Sequence, residues 1–390
     1  MKIVFVANHY VSKKRAMQGF MAYLTRTASA LKQFGNEVVI VACGMYSRHF
    51  WEDGIEVYIE EFHKKTFHNK AYEIMKNYLL MSRTVNKRIN ILCRREKIDM
   101  IQFTSLSGLS LCYFGKVPAV MRLSSYAKIA YETHQTLNAG EERMVSFLER
   151  MASKRCIAVF APCKNTAVAF SKDIKRNVSV IESPFYNDTL QYDDSIYAKD
   201  LQGKKYVLFF GQLYAEKGIL VIADILDRFL KQHKDFYLVF CGATTPINGV
   251  DARKLLKRHA KEFGDRVIFY DPLPHSSLYY LIIKADFIIL PSLMENLSNA
   301  CIESMYFGKV VLGTDGASFE QLIVDGKNGL LCKPNNSLSL LTKMNEAAAM
   351  SSIQKQNMGE LAQKRIERLY PQIAVRKLLD YYKRIIDFAG

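Results

Sequence analysis

The stretch LPSLMENLSNACIESMYFGKVVLGTDGASFEQLIVDGKNGLLCKP, residues 290–334, decides the fold of this chain. The apolar run that leads into it, residues 287–290, has the length and composition of a buried parallel strand. Ser298 or Asn299 can cap a short helix after it, and Gly308 stands where a left-handed residue ends that helix. A second apolar strand follows at once. The pattern predicts a strand, loop, helix and strand unit of an α/β protein.

Two carboxylates of this stretch are placed around the start of the predicted helix. Glu295 precedes the helix, and Glu303 lies inside it, eight residues later. At about 1.5 Å per helical residue, their attachment points are roughly 10 Å apart, the span from a sugar ring to the ribose of a nucleotide sugar. The helix N-terminus between them favours a diphosphate, because its N–H groups and dipole attract anions. The alternative is an amphipathic helix with solvated glutamates.

The stretch resembles the E-x7-E signature of the GT4 glycosyltransferases, in the variant that reads ENLxNxxxExMxxGxxV. The family's PE-like and DGxNGxL tail is present as Phe319-Glu320 and residues 325–330. The resemblance implies an α/β protein of the GT-B fold, with two Rossmann-like domains whose parallel sheets face each other across a cleft. The expected domains are residues 1–190, on the acceptor side and completed by a crossover helix at 371–390, and residues 205–370, which bind the donor.

The resemblance also implies roles for the residues of the central stretch. Glu303 is expected to accept hydrogen bonds from the ribose, and Glu295 to hold the donor-sugar hydroxyls near the reacting carbon. The backbone from Asn296 and Leu297 to Ser298 and Asn299 would complete the sugar site. The transfer is expected to retain the anomeric configuration and to need no metal ion or other cofactor. The lack of a D-x-D acid pair agrees with this expectation.

A second loop, GQLYAEKG at residues 211–218, is similar to the family's GRLxxxKG. Gly211 frees the turn after a strand, and Lys217 can neutralise the leaving diphosphate, which is the main help that this transfer needs. Gln212 replaces the family's arginine, so the donor site lacks that charge and its bidentate fork. Either donor affinity or rate is expected to suffer.

The first βα loop carries the remaining donor residue of the family pattern. Gly19 matches a glycine that lets the backbone approach the donor phosphates, whereas Gln18 replaces its frequent glycine neighbour. Close helix packing is the alternative role of Gly19. The same loop contains no G-x-G-x-x-G, which weakens an NAD interpretation. Many relatives carry a histidine where this chain has Ser124, so no histidine role is carried over.

Length, charge and cysteine usage bound the class of protein. The 390 residues suit two domains, and the formal net charge of +16 favours polyanionic partners such as nucleic acid, an anionic membrane or phosphorylated substrates. The eight cysteines form no C-x-x-C pair and indicate reduced core residues of a cytoplasmic protein. The N-terminal apolar run is too short for a signal peptide, and no stretch of about 18 apolar residues predicts a transmembrane helix.

Short apolar runs along the chain alternate with helical patterns, which predicts two βα series. A polar segment, residues 183–205, separates them as a linker. The predicted strands of the first series are 3–7, 38–42, 99–104, 119–123, 156–161 and 178–182, and its first helix is 16–34. The predicted strands of the second are 206–210, 237–241, 267–270, 287–290 and 310–312, and a final helix covers 371–388.

Residues 62–95 are the most basic region, with nine basic residues against the single acid Glu73. Aromatic and aliphatic residues are interleaved, which suits an interfacial helix on an anionic membrane. A solvated helix packed on the sheet is the alternative. RNA binding is the weakest interpretation because no recognition module is apparent, so no nucleic-acid partner is expected.

The resemblance to the GT4 family implies a retaining glycosyltransferase. It would move a sugar from a nucleotide-diphosphate sugar to a lipid-linked or surface-polysaccharide acceptor at the cytoplasmic face of the plasma membrane. Loops 8–19 and 105–135 are expected to meet the acceptor. One alternative is a non-catalytic, membrane-associated GT-B protein that binds nucleotide sugar without turnover, which Gln212 and Ser124 would allow. A nucleotide-sugar epimerase is a third possibility, which the E-x7-E block does not support.

Overall fold

The computed structural model describes residues 1–11, 19–134, 138–187, 189 and 191–389. The chain divides into two compact units: unit 1 comprises Met1–Tyr186 and Leu369–Gly390, and unit 2 comprises Asn187–Arg368. The segment predicted as a linker contributes a π-helical turn, Tyr197–Leu201, to unit 2. Gln18, most of loop 8–19 and residues 135–137 lie outside the described residues.

The strands form one large sheet in each unit and a separate antiparallel pair in unit 2. Those of unit 1 are β1 (Lys2–Ala7), β2 (Glu37–Gly44), β3 (Arg48–Glu52), β4 (Ile55–Glu61), β5 (Met100–Thr104), β6 (Ala119–Arg122), β7 (Ala158–Ala161) and β8 (Val178–Val180). Those of unit 2 are β9 (Lys205–Phe210), β10 (Phe236–Cys241), β11 (Pro246–Ile247), β12 (Val250–Asp251), β13 (Val267–Tyr270), β14 (Phe287–Leu290), β15 (Val311–Thr314) and β16 (Leu330–Cys332). Strands β11 and β12 form the separate pair.

The helices alternate with the strands in both units. They are α1 (Phe20–Gln33), α2 (Lys70–Arg95), α3 (Ala127–His134), α4 (Ala139–Ser153), α5 (Lys164–Ile174), α6 (Ile219–Ala223), α7 (Leu226–Gln232), α8 (Ala252–Ala260), α9 (His275–Lys284), α10 (Asn299–Tyr306), α11 (Ser337–Ala349), α12 (Ser352–Ile366) and α13 (Pro371–Ala389). Of these, α13 returns to unit 1 after the chain has completed unit 2.

The sheet of unit 1 has eight strands in the order β3-β4-β2-β1-β5-β6-β7-β8. Helices α1 and α13 cover one face through Leu24, Leu31, Val375 and Tyr382. Helices α2, α4 and α5 cover the other face, where Ile89 is among the fully buried side chains. Both faces of the central strands are therefore buried, which explains their continuous apolar sequences.

One edge of this sheet corrects the prediction of parallel strands throughout. Strand β3 runs antiparallel to β4, and the two-residue turn between them has Asp53 and Gly54 at φ 51° and 70°. Left-handed residues at both central positions, with an Asp-Gly sequence, are typical of a type I′ hairpin turn. The charged, alternating sequence of residues 48–61 hid the two strands from a search for apolar runs.

The sheet of unit 2 has six parallel strands in the order β13-β10-β9-β14-β15-β16. Its short final strand, β16, was not predicted. Strand β9 is the first strand of the unit. Strands β10 and β13 extend the sheet to one side of β9, and β14, β15 and β16 extend it to the other. The strand order thus reverses between β9 and β14, whose carboxyl ends lie side by side.

Helix α10 begins and ends as its sequence requires. The Ser298 hydroxyl accepts a hydrogen bond from the Cys301 N–H at 3.4 Å and caps the helix, so Asn299 is its first residue and not its cap. Gly308 follows the helix with φ 66°, a left-handed conformation. A Cβ on Gly359 of α12 would lie 2.0 Å from the Gly308 oxygen, so glycine at 359 lets the two backbones approach.

Candidate active site

The reversal of strand order in unit 2 places two loops next to each other. Loop 211–218 follows β9, and loop 291–298 follows β14, which pairs with β9 in parallel. In open α/β sheets, ligands bind outside the carboxyl ends of the strands at such a switch point. These are the two loops that the sequence singled out, and the fold brings them together.

The two loops touch through their backbones. Gly218 has φ 78°, and a Cβ at this position would lie 2.1 Å from the carbonyl oxygen of Pro291. The Leu293 N–H donates to the carbonyl oxygen of Glu216 at 2.8 Å. Any residue larger than glycine at 218 would push the loops apart, so Gly218 sets the spacing of the side chains that they carry.

Lys217 and Glu295 form an ion pair between the loops. The Ser292 hydroxyl donates to the same carboxylate oxygen of Glu295 at 2.9 Å. The side chains of Lys217 and Glu295 keep exposed fractions of 24% and 15%, so both can still be reached by a ligand. Among the predicted donor residues, these two are brought into direct contact by the fold.

The surroundings keep Lys217 charged. Burial alone would lower its pKa, but the negative charge of Glu295, with smaller contributions from Tyr214 and Glu216, raises the pKa above its ordinary value. The ammonium group therefore carries a full positive charge at neutral pH. A cation held at a strand end in this way can balance the charge of a phosphate group.

Glu303 and the last residues of loop 291–298 are the next predicted donor residues along the chain. Glu303 lies in α10 and is 7% exposed, and the Ser298 side chain is committed to the helix cap. Asn296 and Leu297 are half-buried in the loop. The predicted ribose and sugar contacts of these residues stay predictions.

The other predicted donor residues are placed as follows. Gly211 has φ 131°, so it needs glycine's conformational freedom, and Gln212 beside it is exposed. Gly19 belongs to unit 1, where it directly precedes α1 with φ 57°, and no atom of the described residues beyond its chain neighbours lies within 4 Å of the position of a Cβ.

Sequence reasoning overlooked two residues of this site. Ser292 is 2% exposed and orients Glu295, and Gly218 sets the loop spacing. Ser292 could have been found as a hydroxyl three residues before the carboxylate, and Gly218 as a glycine inside the family-like GQLYAEKG motif. The close approach of Gly218 to Pro291 could not have been predicted, because it joins residues more than seventy positions apart.

Two histidines of unit 1 lie beside carboxylates. His49 lies 2.9 Å from Glu56, and His63 lies 2.8 Å from Glu61. Among the residues that the structure describes, no group of three His, Cys, Asp or Glu side chains could hold a metal ion.

The basic region at residues 62–95 forms α2 and the segment before it. Glu73 is buried, and its carboxylate accepts from the Phe67 N–H at 3.0 Å and pairs with Lys64 at 3.0 Å and Lys70 at 3.2 Å. First the Phe67 N–H and then these two lysines lower the pKa of Glu73 to about 2. Two of the lysines predicted to face a membrane thus also hold the start of α2.

No helix within the described ranges is long and apolar enough to span a bilayer.

Comparison with known proteins gives the family of the region that holds the site. Residues 195–365, which contain both loops, match the family model described as glycosyl transferases group 1. The chain is similar to "Alpha-1,3/1,6-mannosyltransferase ALG2" of Dictyostelium discoideum, with 29% identity over 34% of this chain and 35% of the relative. The chain thus spans only about a third of that relative's length.

Two further similarities cover more of the chain. The "GalNAc-alpha-(1->4)-GalNAc-alpha-(1->3)-diNAcBac-PP-undecaprenol alpha-1,4-N-acetyl-D-galactosaminyltransferase" of Campylobacter jejuni is 22% identical over 73% of each chain. The sucrose-phosphate synthase of Thermosynechococcus elongatus superposes with a TM-score of 0.79 at 17% identity, over 98% of each chain. This likeness confirms the predicted fold class: the chain has the GT-B fold, built from two Rossmann-like units.

Proposed function

We propose that this chain, whose residues 195–365 are a glycosyl transferases group 1 domain, transfers a sugar from a nucleotide-diphosphate sugar to a glycan or glycolipid acceptor. The observation that carries the proposal is the contact between Lys217 and Glu295 at the switch point of the unit 2 sheet. One charge suits the diphosphate and the other suits sugar hydroxyls, and the two are held side by side.

Lys217 supports the departure of the nucleoside diphosphate. Charge builds up on the diphosphate as its bond to the sugar breaks, and a fixed ammonium stabilises that charge in the transition state. When a donor binds, its phosphate oxygens compete with Glu295 for Lys217. The Ser292 hydroxyl continues to donate its hydrogen bond to the Glu295 carboxylate, which then accepts hydrogen bonds from the donor sugar.

Glu303 and the start of α10 hold the rest of the donor in this proposal. The N-terminus of α10 lies between Glu295 and Glu303 in the sequence and offers a positive dipole end to the phosphates. Glu303 is then placed to accept hydrogen bonds from the ribose. The transfer retains the anomeric configuration, and the charge of Lys217 does the work that a metal ion would do elsewhere.

The names of the relatives support a lipid-linked acceptor. One similar protein acts, by its name, on a diphosphate-linked undecaprenol. In the present chain, the exposed basic residues of α2 would contact the anionic lipids around such an acceptor. We propose that the protein works in the cytoplasm, on the inner face of the plasma membrane.

A second candidate function is donor binding without turnover. Gln212 favours it, since an exposed, uncharged amide stands where the family pattern has an arginine. The two candidates differ in one respect, because only a transferase releases free nucleoside diphosphate when an acceptor is present.

The proposal is tested by calorimetry and thermal shift with UDP, GDP, ADP, CMP and their common sugars. We expect one nucleotide to bind preferentially and the corresponding nucleotide sugar to be consumed when a polyprenyl-diphosphate glycan is added. Proton NMR of the product then reads the anomeric configuration. Failure of every nucleotide to bind at millimolar concentration would contradict both candidates.

A further inference from the structure

Arg122 is a buried guanidinium whose set of partners is incomplete. It is the last residue of β6, at the carboxyl edge of the unit 1 sheet, and it is 5% exposed. Nη1 donates to the Ser124 hydroxyl and Nη2 to the Ser183 hydroxyl, both at 3.1 Å. The Nε atom is buried and has no hydrogen-bond partner among the described residues.

The charge of Arg122 also lacks a carboxylate partner in the described part of the chain. The guanidinium carbon lies 3.6 Å from the centre of the Tyr23 ring. Burial lowers the pKa of Arg122, and the groups that oppose this shift are Tyr23, Cys163 and Tyr382. None of these three side chains is a carboxylate. Arginine nevertheless stays protonated in proteins. A buried cation without an anion is unfavourable, so this arrangement calls for an explanation.

Other arginines of the chain show what a structural guanidinium looks like in this protein. Arg176 donates to the carbonyl oxygens of Ser153, Cys156 and Ile157 at 3.3, 3.2 and 2.6 Å. Arg266 donates to four carbonyl oxygens in unit 2. Backbone carbonyls satisfy both guanidinium groups, whereas Arg122 has two neutral hydroxyls. Arg122 is thus held by fewer acceptors than these two guanidinium groups.

We propose that Arg122, together with Ser124 and Ser183, binds a phosphoryl group of a substrate. The edge formed by Nε and Nη2 is the one that grips an oxyanion through two parallel hydrogen bonds. Nε is unoccupied there, and Nη2 is held only by the Ser183 hydroxyl, a neutral acceptor that a phosphate oxygen can displace. The Ser183 hydroxyl can then turn its hydrogen toward the phosphate.

The place of Arg122 in the sheet agrees with substrate binding. The strand order of unit 1 reverses between β1 and β5, and β6 is the neighbour of β5. Thr104, at the end of β5, pairs with Arg122 in register, and its hydroxyl lies 2.9 Å from that of Ser124. The carboxyl edge next to the switch point thus presents one cation and three hydroxyls, which matches the several oxygens of a phosphoryl group.

The inference rests on the proposed function, which offers two sources of the phosphoryl group: the nucleotide-sugar donor or a phosphorylated acceptor. The chemistry recognised by Arg122 is the same in both. The experiment below first asks whether the site exists and then which substrate fills it.

The test is calorimetric titration of the full-length protein with pyrophosphate. Lys217→Gln serves as the background, because it removes the cation of the unit 2 site and leaves Arg122 intact. We expect the Lys217→Gln protein to keep a pyrophosphate site and the addition of Arg122→Gln to weaken it on the order of tenfold or more, as expected for lost charge-assisted hydrogen bonds. Arg176→Gln is the matched control and should leave the affinity unchanged.

Equal pyrophosphate affinity with and without Arg122→Gln would overturn the inference. If Arg122→Gln does not fold, Arg122→Lys keeps the charge and removes the planar fork, and it too must bind pyrophosphate more weakly. The nucleotide affinity and the acceptor KM of the Arg122 variant then show which substrate carries the phosphoryl group. A donor phosphate predicts weaker nucleotide binding by the Arg122 variant, whereas an acceptor phosphate predicts unchanged nucleotide binding and a raised acceptor KM.

The two proposals can fail separately. If Arg122 does not bind a phosphoryl group, the protein is still expected to bind nucleotide through Glu303 and Lys217. Loss of the proposed function would appear as absence of nucleotide binding in the wild-type protein.

Discussion

Glu295 and Lys217 are 78 residues apart in the chain and form an ion pair between loops that leave neighbouring strands. The pair is partly exposed, is steadied by Ser292, and depends on the glycine at 218 for the closeness of its two loops. An ion pair that keeps access to solvent contributes modestly to stability. The residues of this pair are therefore better tested by activity than by unfolding.

Replacing Glu295 by Gln is expected to lower kcat at least 100-fold, because the proposed function places this carboxylate beside the reacting sugar. Nucleotide affinity should change little or increase, since Lys217 no longer has a competing partner. Steady-state kinetics and calorimetry measure the two effects. Glu360→Gln, on the exposed side of α12, is the control. A fully active Glu295 variant would remove this residue from the site.

Replacing Glu303 by Gln is expected to weaken nucleotide binding about tenfold or more, because hydrogen bonds from hydroxyls to a charged carboxylate are among the stronger ones. Calorimetry with the preferred nucleotide measures the change, and binding of the free sugar phosphate is the internal comparison. An unchanged nucleotide affinity would count against the ribose role.

The strands of both sheets could be predicted largely from short apolar runs, because a strand buried on both faces, such as β14, has to be continuously apolar. The hairpin of β3 and β4 was missed because its residues alternate and carry charge; only the Asp53-Gly54 turn signalled it. The ion pair of Lys217 with Glu295 could be placed at one site only through a family resemblance. Arg122 gave no sequence signal, since burial without an acid partner is a property of the folded sheet.

Metal removal is expected to leave the transfer rate unchanged. In this proposal Lys217 supplies the positive charge at the diphosphate, and excess EDTA should have no effect on the rate. Lys217→Gln should instead lower kcat on the order of 100-fold. A loss of activity in EDTA that added Mg²⁺ restores would show that a metal ion takes part.

Membrane binding is expected to depend on exposed basic residues of α2. Because Lys64 and Lys70 hold Glu73, their replacement would also disturb the start of the helix. Arg83 and Lys87 are exposed, so Arg83→Glu with Lys87→Glu should reduce sedimentation with liposomes that contain anionic lipid, and added salt should reduce it for the wild type.

The matched control for this experiment is Lys254→Glu with Lys257→Glu, an equal change of charge on the exposed side of α8 in unit 2. Equal losses for the two pairs would indicate an unspecific effect of net charge. No loss for the α2 pair would favour a solvated helix.

The stability of the protein is expected to fall as the pH rises from about 5 to 8. Burial raises the pKa of Glu149 to about 8, although its carboxylate accepts from the Ala127 N–H at 3.1 Å. In this range the folded protein keeps a proton on Glu149 that the unfolded chain releases, so the free energy of unfolding decreases with pH. Glu149→Gln should remove this contribution and stabilise the protein at pH 8. Urea unfolding at pH 5.5 and 8 measures the free energy of unfolding of the wild type and of Glu149→Gln. An equal change of this free energy with pH in the two proteins would show that Glu149 is charged in the fold.

The path of the chain through the two units has a consequence for synthesis on the ribosome. Val375, Leu378 and Tyr382 of α13 belong to the core of unit 1, yet they are translated after all of unit 2. Unit 2 can therefore complete its core during translation while unit 1, although begun first, still exposes the apolar face that α13 will cover. During that interval the nascent chain presents a surface that a chaperone would bind, and the order of folding is the reverse of the order in which the two units begin.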